Sequence, residues 1–263
     1  ADTGQLKWHF QFTPHDEYDY DSVQIPVLVD GNWKGTPRKM LLWANRNGYF
    51  YVLDRATGKF LAGAPYAKVT WSTGLDESGR PMRAPNASPT AQGVLVYPHL
   101  FGATNWYSPS YSPRTNLFYV PSWQDSSMNV GKVGSEFAPG QRYMGGTLRG
   151  AGPPTRRGAE NTPAEDTNYG AVVAIDPTSA QIKWTFKMTD LTASGVLTTA
   201  SDLLFAGGRE GYFYALDARN GGELWRASLG GSVEAAPVTF RVGNKQYISI
   251  AAGHALFTFA LRD

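Results

Sequence analysis

Hydrophobic positions along the chain cluster into short runs broken by polar, glycine-rich turns. No stretch shows the 3.6-residue recurrence of a convincing amphipathic helix. The runs predict strands near residues 6–12, 39–45, 48–54, 94–99, 116–121, 170–176, 181–187, 195–199, 202–206, 211–217, 222–227, 233–240, 245–251 and 255–261. The last lies in HALFTFALRD, where apolar and polar residues alternate only loosely, as in a terminal strand that completes a sheet begun elsewhere. Residues 124–168 break the rhythm. They are rich in Gly, Pro and polar side chains and predict a long inserted loop lying over one face of the fold.

The runs repeat. YFYALDARNGGELWRA holds Ala215, Asp217, Gly221 and Trp225, and AVVAIDPTSAQIKWTF holds Ala174, Asp176, Ala180 and Trp184, 41 residues earlier. A third copy, YFYVLDRATGKFLAGA, keeps Asp54 and Gly58 but has Ala62 in place of the tryptophan. Each copy describes a strand, a tight turn and a returning strand. The aspartate caps the turn, the glycine supplies a positive φ and the tryptophan offers a large face to bury. A period near 40 residues is the signature of a β-propeller, with a β-sandwich as the alternative. At the N-terminus, Gly4 and Trp8 keep the motif's spacing without its aspartate. The chain is therefore expected to be the C-terminal part of a longer propeller, cut at a blade.

Composition agrees with many short strands and tight turns: 29 glycines, 17 prolines, 13% aromatic residues and only 17% charged residues in 263. The formal net charge is +2, and the nearest approach to a basic cluster, Arg149, Arg156 and Arg157, reads as a solvated loop rather than a nucleic-acid footprint. With no cysteine, the chain has no thiol nucleophile, no disulfide and no C-x-x-C-H haem site. No apolar run approaches a membrane span, and ADTGQLKWHF does not read as a signal peptide.

One stretch carries unusual chemistry. HDEYDYDSVQ, residues 15–24, sets Asp16, Glu17, Asp19 and Asp21 within six positions. Like charges so close repel, which leaves a metal site, a catalytic base or a solvated turn as explanations. In a strand, Asp19 and Asp21 face the same way and can converge on one ion, whereas His15, Asp16 and Glu17 shape the turn.

Taken together, TPHDEYDYD, NRNGYFYVLDRATG, TNWYSPSYSP, SGVLTTASDLLFAGGREGYFYALDARNGGELW and KQYISIAAG resemble, in order, landmarks of the C-terminal half of the PQQ-dependent quinoprotein alcohol dehydrogenases. The turn repeat resembles that family's tryptophan-docking motif. The resemblance implies roughly four blades of an eight-bladed propeller that binds pyrroloquinoline quinone (PQQ) beside a metal ion on its axis. Asp19 matches the family's catalytic aspartate, which accepts the alcohol's hydroxyl proton while hydride passes to PQQ. Asp21 matches an extra carboxylate of lanthanide-using members. The implied metal is therefore a lanthanide or Ca2+, held by Asp19 and Asp21.

Arg46 matches the arginine that hydrogen-bonds the quinone oxygens, and Asn105 a residue at the cofactor's polar edge. Trp106, beside it, is expected in the core. Methanol-oxidising relatives carry a Trp-Gly-Gly segment whose backbone meets PQQ. The comparable stretch is Ser194-Gly195-Val196, making Ser194 and Gly195 the implied cofactor contacts without the tryptophan. The family's remaining site residues lie in its N-terminal half. Implied partners are an alcohol substrate, that half or a second copy of the chain, and a periplasmic electron acceptor such as a cytochrome c. The alternative is a propeller fragment that has kept the fold and lost the cofactor.

Overall fold

In the computed structural model of the protein, which describes residues 2–132, 134, 136–143, 146–149 and 168–261, the longest apolar runs become the middle strands of antiparallel sheets. The first sheet joins β1 (Val27–Trp33), β2 (Thr36–Ala44), β3 (Tyr49–Asp54) and β4 (Phe60–Pro65) in sequence order. A hairpin of β5 (Ser72–Leu75) and β6 (Pro81–Arg83) and the short β7 (Val94–Val96) follow. The second blade is built from β8 (Ser110–Ser112), β9 (Leu117–Gln124), β12 (Tyr169–Asp176) and β13 (Gln181–Lys187). Between its two middle strands the chain makes β10 (Met128–Lys132) and β11 (Gly146–Arg149), which pair with β7 in a separate sheet of order β11-β10-β7. The third blade runs β14 (Leu197–Thr198), β15 (Leu203–Gly207), β16 (Tyr212–Asp217) and β17 (Glu223–Ser228). The fourth has three strands, β18 (Val238–Val242), β19 (Lys245–Ala252) and β20 (Ala255–Ala260). The fold is an all-β propeller arrangement of four successive blades.

The cores explain the sequence pattern. Successive residues of a strand point to opposite faces, and each middle strand of the first three blades supplies two different cores. Phe118, Val120, Val173 and Ile175 pack against Leu42, Phe50 and Val52 of the first blade. Their neighbours Tyr119, Val172 and Ala174 pack the other way, against Leu204, Ala206, Tyr214 and Leu216 of the third. Phe205, Phe213 and Ala215 then meet Ile248, Ile250 and Ala252 of the fourth. Burying such a side chain contributes about 1.5–3 kcal/mol, so these interfaces carry most of the stabilisation.

The turn repeat acts between blades. Trp184 donates from Nε1 to the carbonyl of Ala218 at 3.2 Å, and a Cβ added to Gly221 would lie 2.5 Å from its ring. Trp8 does the same to the first blade's turn, donating to the Arg55 carbonyl at 3.1 Å and covering Gly58. Both glycines hold positive φ, 75° and 72°. Where the tryptophan is replaced by Ala62, the facing turn carries Ala180 at φ 58°, and both residues belong to the same core cluster. A Cβ is accepted at this left-handed position only where no indole ring lies on it.

Several expected elements shift. Residues 6–12 run extended but enter no ladder among the described residues; Trp8, Phe10 and Phe12 instead pack beside the first blade's outer core. The strand expected at 233–240 is observed at Val238–Val242, because Ser232–Pro237 is spent crossing between blades. Val27–Trp33 contains Asp30-Gly31-Asn32 and reads as a turn, yet it pairs fully with β2 and buries only Val29 and Trp33. Within 124–168, expected as a loop, Met128–Lys132 and Gly146–Arg149 are strands, and Met128 and Val130 share a core with Tyr18 and Tyr20. Residues 150–167 of that segment lie outside the described residues.

Two outcomes follow from the turns. Gly221→Ala must adopt a strained φ and displace Trp184, costing about 2–4 kcal/mol, readable as a lower urea midpoint. Asp54, Asp176 and Asp217 are all held below the ordinary carboxylate range. At Asp217 the Arg219 side chain contributes most; at Asp54 and Asp176 desolvation pushes upward, and bonds from Thr57, Thr178 and their neighbours outweigh it. A carboxylate lowered in the fold stabilises it above the unfolded value, and this is lost as pH falls through the folded one. The thermal midpoint should therefore drop as pH is taken below about 4, and Asp217→Asn should flatten that slope.

Candidate active site

The acidic stretch is a loop between the extended N-terminal segment and β1, and its alternation is resolved by burial. Tyr18 and Tyr20 point inward, 2% and 1% exposed, and donate their hydroxyls to the carbonyls of Ala87 at 2.8 Å and Pro98 at 2.6 Å. Both rings lie against Trp71. Asp19 and Asp21 are consequently turned outward, with side chains 61% and 65% exposed. Asp16 is exposed as a residue, but its carboxylate is turned back on the loop and accepts the N–H of Tyr18 at 2.8 Å and of Tyr20 at 2.6 Å. That desolvation pushes its pKa up; the two N–H bonds pull it down, and repulsion from Asp19 and Asp21 adds to the rise. Glu17 forms an ion pair with Arg83 of β6, which also donates to the Tyr18 hydroxyl.

The turn between β2 and β3 supplies the cation. Asn45 and Asn47 brace it. The Asn45 amide donates to Ser22 at 2.9 Å and the Asn47 amide to the Phe12 carbonyl at 3.0 Å, tying the hairpin to the acidic loop's own segment. Arg46, at its tip, is buried and donates from Nε to the Leu100 carbonyl at 2.6 Å. Its Nη2 lies 3.8 Å from Asp19 Oδ2 and its Nη1 3.9 Å from Asp21 Oδ2. The structure therefore brings Asp19, Asp21 and Arg46 together. Ion pairs with carboxylates this exposed contribute only about 0–1 kcal/mol each, so the arrangement is a polar site rather than a structural staple.

Asn105 joins through the loop at 99–105. Its amide donates to the Phe101 carbonyl at 2.9 Å, one residue from the Leu100 carbonyl that Arg46 uses. Gly102, at φ 81°, packs on the arginine: an added Cβ would lie 2.2 Å from Arg46 Cγ. Trp106, expected in the core, is 59% exposed instead. Asn105 and Tyr107 take the inward positions on either side of it, and alternation leaves the indole outside. Ser194 and Gly195 lie where the third and fourth blades meet the 105–108 stretch. The Ser194 hydroxyl donates to the Ala235 carbonyl at 2.7 Å, and Gly195 packs against Ser108 and Ala236. No hydrogen bond or ion pair links them to Arg46 or either aspartate among the described residues.

Sequence reasoning passed over Tyr107 and Arg209. Tyr107 is buried in a cluster with Trp123, Leu191 and Ala193. Burial pushes its phenol up, opposed by the charges of Arg209 and Arg46 and reinforced by Glu234. Arg209 lies over the Trp123 ring, 3.5 Å from Glu234. A signal was present: GREGYFYALD parallels NRNGYFYVLD, so Arg209 occupies the same hairpin turn in its blade as Arg46 does. A cavity of about 810 Å³ lies elsewhere, between the third and fourth blades, lined by Leu203, Phe205, Trp225, Ile248 and Phe259 without a carboxylate or imidazole, and offers none of this chemistry.

Oxygen donors such as Asp19 and Asp21 suit a hard cation, which takes six to eight oxygens. Among the described residues no third acidic or histidine ligand joins them, so this chain offers one side of such a shell. Arg46 and the Asn105 amide fit the polar edge of an anionic, carbonyl-bearing cofactor in the same partial sense.

A propeller of docked blades with an aspartate pair facing a buried arginine defines a class. The chain belongs to the family described as "PQQ: Glucose/ethanol/alcohol dehydrogenase, beta-propeller domain", whose model matches residues 1–81 and 81–248. It is 37% identical over 262 residues to quinoprotein alcohol dehydrogenase PedH of Pseudomonas putida, covering 96% of this chain and 42% of that protein. It is 38% identical over 255 residues to 1-butanol dehydrogenase (cytochrome c) of Thauera butanivorans, covering 96% and 36%. The fold superposes on the quinohemoprotein alcohol dehydrogenase of Comamonas testosteroni with a TM-score of 0.85 at 33% identity, over 97% of this chain and 38% of that one. A europium-containing methanol dehydrogenase gives 0.82 at 32% identity, over 95% and 42%. The chain thus spans about two fifths of the length of these relatives.

Gly102→Ala should dislodge Arg46 and cost about 2–3 kcal/mol, through a strained left-handed backbone and the clash with Arg46. A denaturation midpoint unchanged from the parent would show that the loop does not clamp the arginine.

Proposed function

We propose that this chain forms one side of a PQQ-dependent alcohol dehydrogenase site, completed by the N-terminal half of a family-length propeller. The observation that carries the reading is the convergence of Asp19 and Asp21 on the buried guanidinium of Arg46. PQQ, when bound, supplies the acceptor for the hydride leaving the alcohol carbon. Asp19 takes the hydroxyl proton: its carboxylate is open to solvent on one side, as a general base must be to reach its substrate. Arg46, fixed by the Leu100 carbonyl, keeps its two Nη groups beside Asp19 and Asp21 and would hydrogen-bond the cofactor's oxygens. Asn105 would contact its polar edge, and Ser194 and Gly195 would meet it through backbone. Asp19 and Asp21 would share a Ca2+ or lanthanide ion. The second carboxylate favours the trivalent ion, and the likeness to a europium-containing methanol dehydrogenase supports that preference.

The electron acceptor would be a periplasmic carrier such as a cytochrome c, the acceptor named for the Thauera butanivorans relative. No helix among the described residues is long and apolar enough to cross a membrane. A second copy of the chain is the alternative closure of the ring, distinguished by light scattering. The alternative function is a propeller scaffold that has kept the fold and lost the cofactor.

The test is the family-length protein loaded with PQQ and La3+ or Ca2+, assayed by dye-linked alcohol oxidation. Asp19→Asn should lower kcat by about 10²–10⁴-fold while the PQQ absorbance is retained, and a fully active variant would overturn the assignment. Asp21→Ala should move the preference from lanthanide towards calcium. A parent protein with neither bound PQQ nor turnover would favour the scaffold.

A further inference from the structure

We propose that Asp16 is a positioning residue for Asp19: it ties the backbone on both sides of Asp19 and so sets the direction in which that carboxylate leaves the loop. The inference rests on the reading of Asp19 as the base. The two Asp16 oxygens are divided between two backbone amides. One oxygen of Asp16 accepts the N–H of Tyr18 and the other that of Tyr20, at 2.8 and 2.6 Å, so the two bonds enclose Asp19. Asp19 itself is held at φ 64°, a left-handed conformation that non-glycine residues rarely adopt and that persists only where the surroundings over-determine it.

Those surroundings are visible on each side. Tyr18 and Tyr20 are anchored by hydroxyl bonds to Ala87 and Pro98, and Glu17 by its ion pair with Arg83. These side-chain ties fix where the flanking residues go. They do not fix the peptide orientations between them, which among the described residues only the Asp16 carboxylate holds. With Asp16 removed, the Tyr18 and Tyr20 N–H groups are released and Asp19 can relax to negative φ. Its side chain then swings away from Arg46 while both tyrosines stay buried. Displacements of this kind, near 1 Å, cost about 10²-fold in rate when they misplace a reacting group.

The experiment compares the parent with Asp16→Ala and Asp16→Asn, and with Asp19→Asn as the reference. Asn keeps one acceptor oxygen and loses the other, so it can hold only one of the two N–H groups. In amide exchange of the protein, Tyr18 and Tyr20 should exchange at least about tenfold faster in Asp16→Ala, with the blade strands unchanged. In the loaded family-length enzyme, kcat should fall about 10–100-fold in Asp16→Ala and less in Asp16→Asn, with the alcohol KM within about twofold of the parent. Unchanged exchange at both amides, or unchanged kcat in Asp16→Ala while Asp19→Asn is inactive, would overturn the positioning role. An active Asp19→Asn would instead overturn the base assignment on which it rests. Should Asp16→Ala fail to fold, Asp16→Asn carries the same test through faster exchange at one amide and a smaller fall in kcat.

Discussion

The middle strands of the first three blades bury both of their faces, and the rest of the structure depends on that constraint. A strand exposes a new side chain to each side at every step, so Phe118 and Tyr119, or Val172 and Val173, belong to different cores although they are adjacent in sequence. A sheet with two apolar faces is stable only between two others. Blade therefore follows blade, and Trp8 and Trp184 fasten the turns of the first and third blades by lying on Gly58 and Gly221, which have no Cβ to obstruct them.

The same construction places the chemistry. Hairpin turns between second and third strands, and the loops that cross from one blade to the next, meet at one end of the array. Arg46 sits on the first kind of element, and Asp19 and Asp21 on the loop that leads into the first blade. Their meeting is a product of blade packing, not of nearness in sequence. The loop at 99–105 completes the arrangement: its carbonyls hold Arg46 and Asn105, and Gly102 lets it approach the arginine closely.

The site is held by uncharged groups more than by its charges. Two exposed carboxylates gain little from a cation nearly 4 Å away, whereas Tyr18, Tyr20 and Trp71 are fully buried and hydrogen-bonded. Aromatic residues thus carry the loop, and the aspartates are free to be functional. This division explains why tyrosine and aspartate alternate in the stretch: the pattern is an inside-outside code of period two written on a loop.

The propeller and its turns were legible in the sequence, because period-two burial and the Asp-Gly-Trp spacing are local properties. So was the list of charged residues, through their resemblance to family landmarks. The edge strand at Val27–Trp33 was not legible, since a strand with one buried face and a central Asp-Gly-Asn has a turn's composition. Trp106 was misread because a large apolar ring says nothing about which of three neighbours turns inward. Nor could the sequence show that Asp16 bonds to the amides around Asp19, or that Ser194 spends its hydroxyl on Ala235. Those facts depend on backbone dihedrals and on contacts between residues tens of positions apart. Spacing along a chain constrains which faces agree; only the packed fold decides which groups meet.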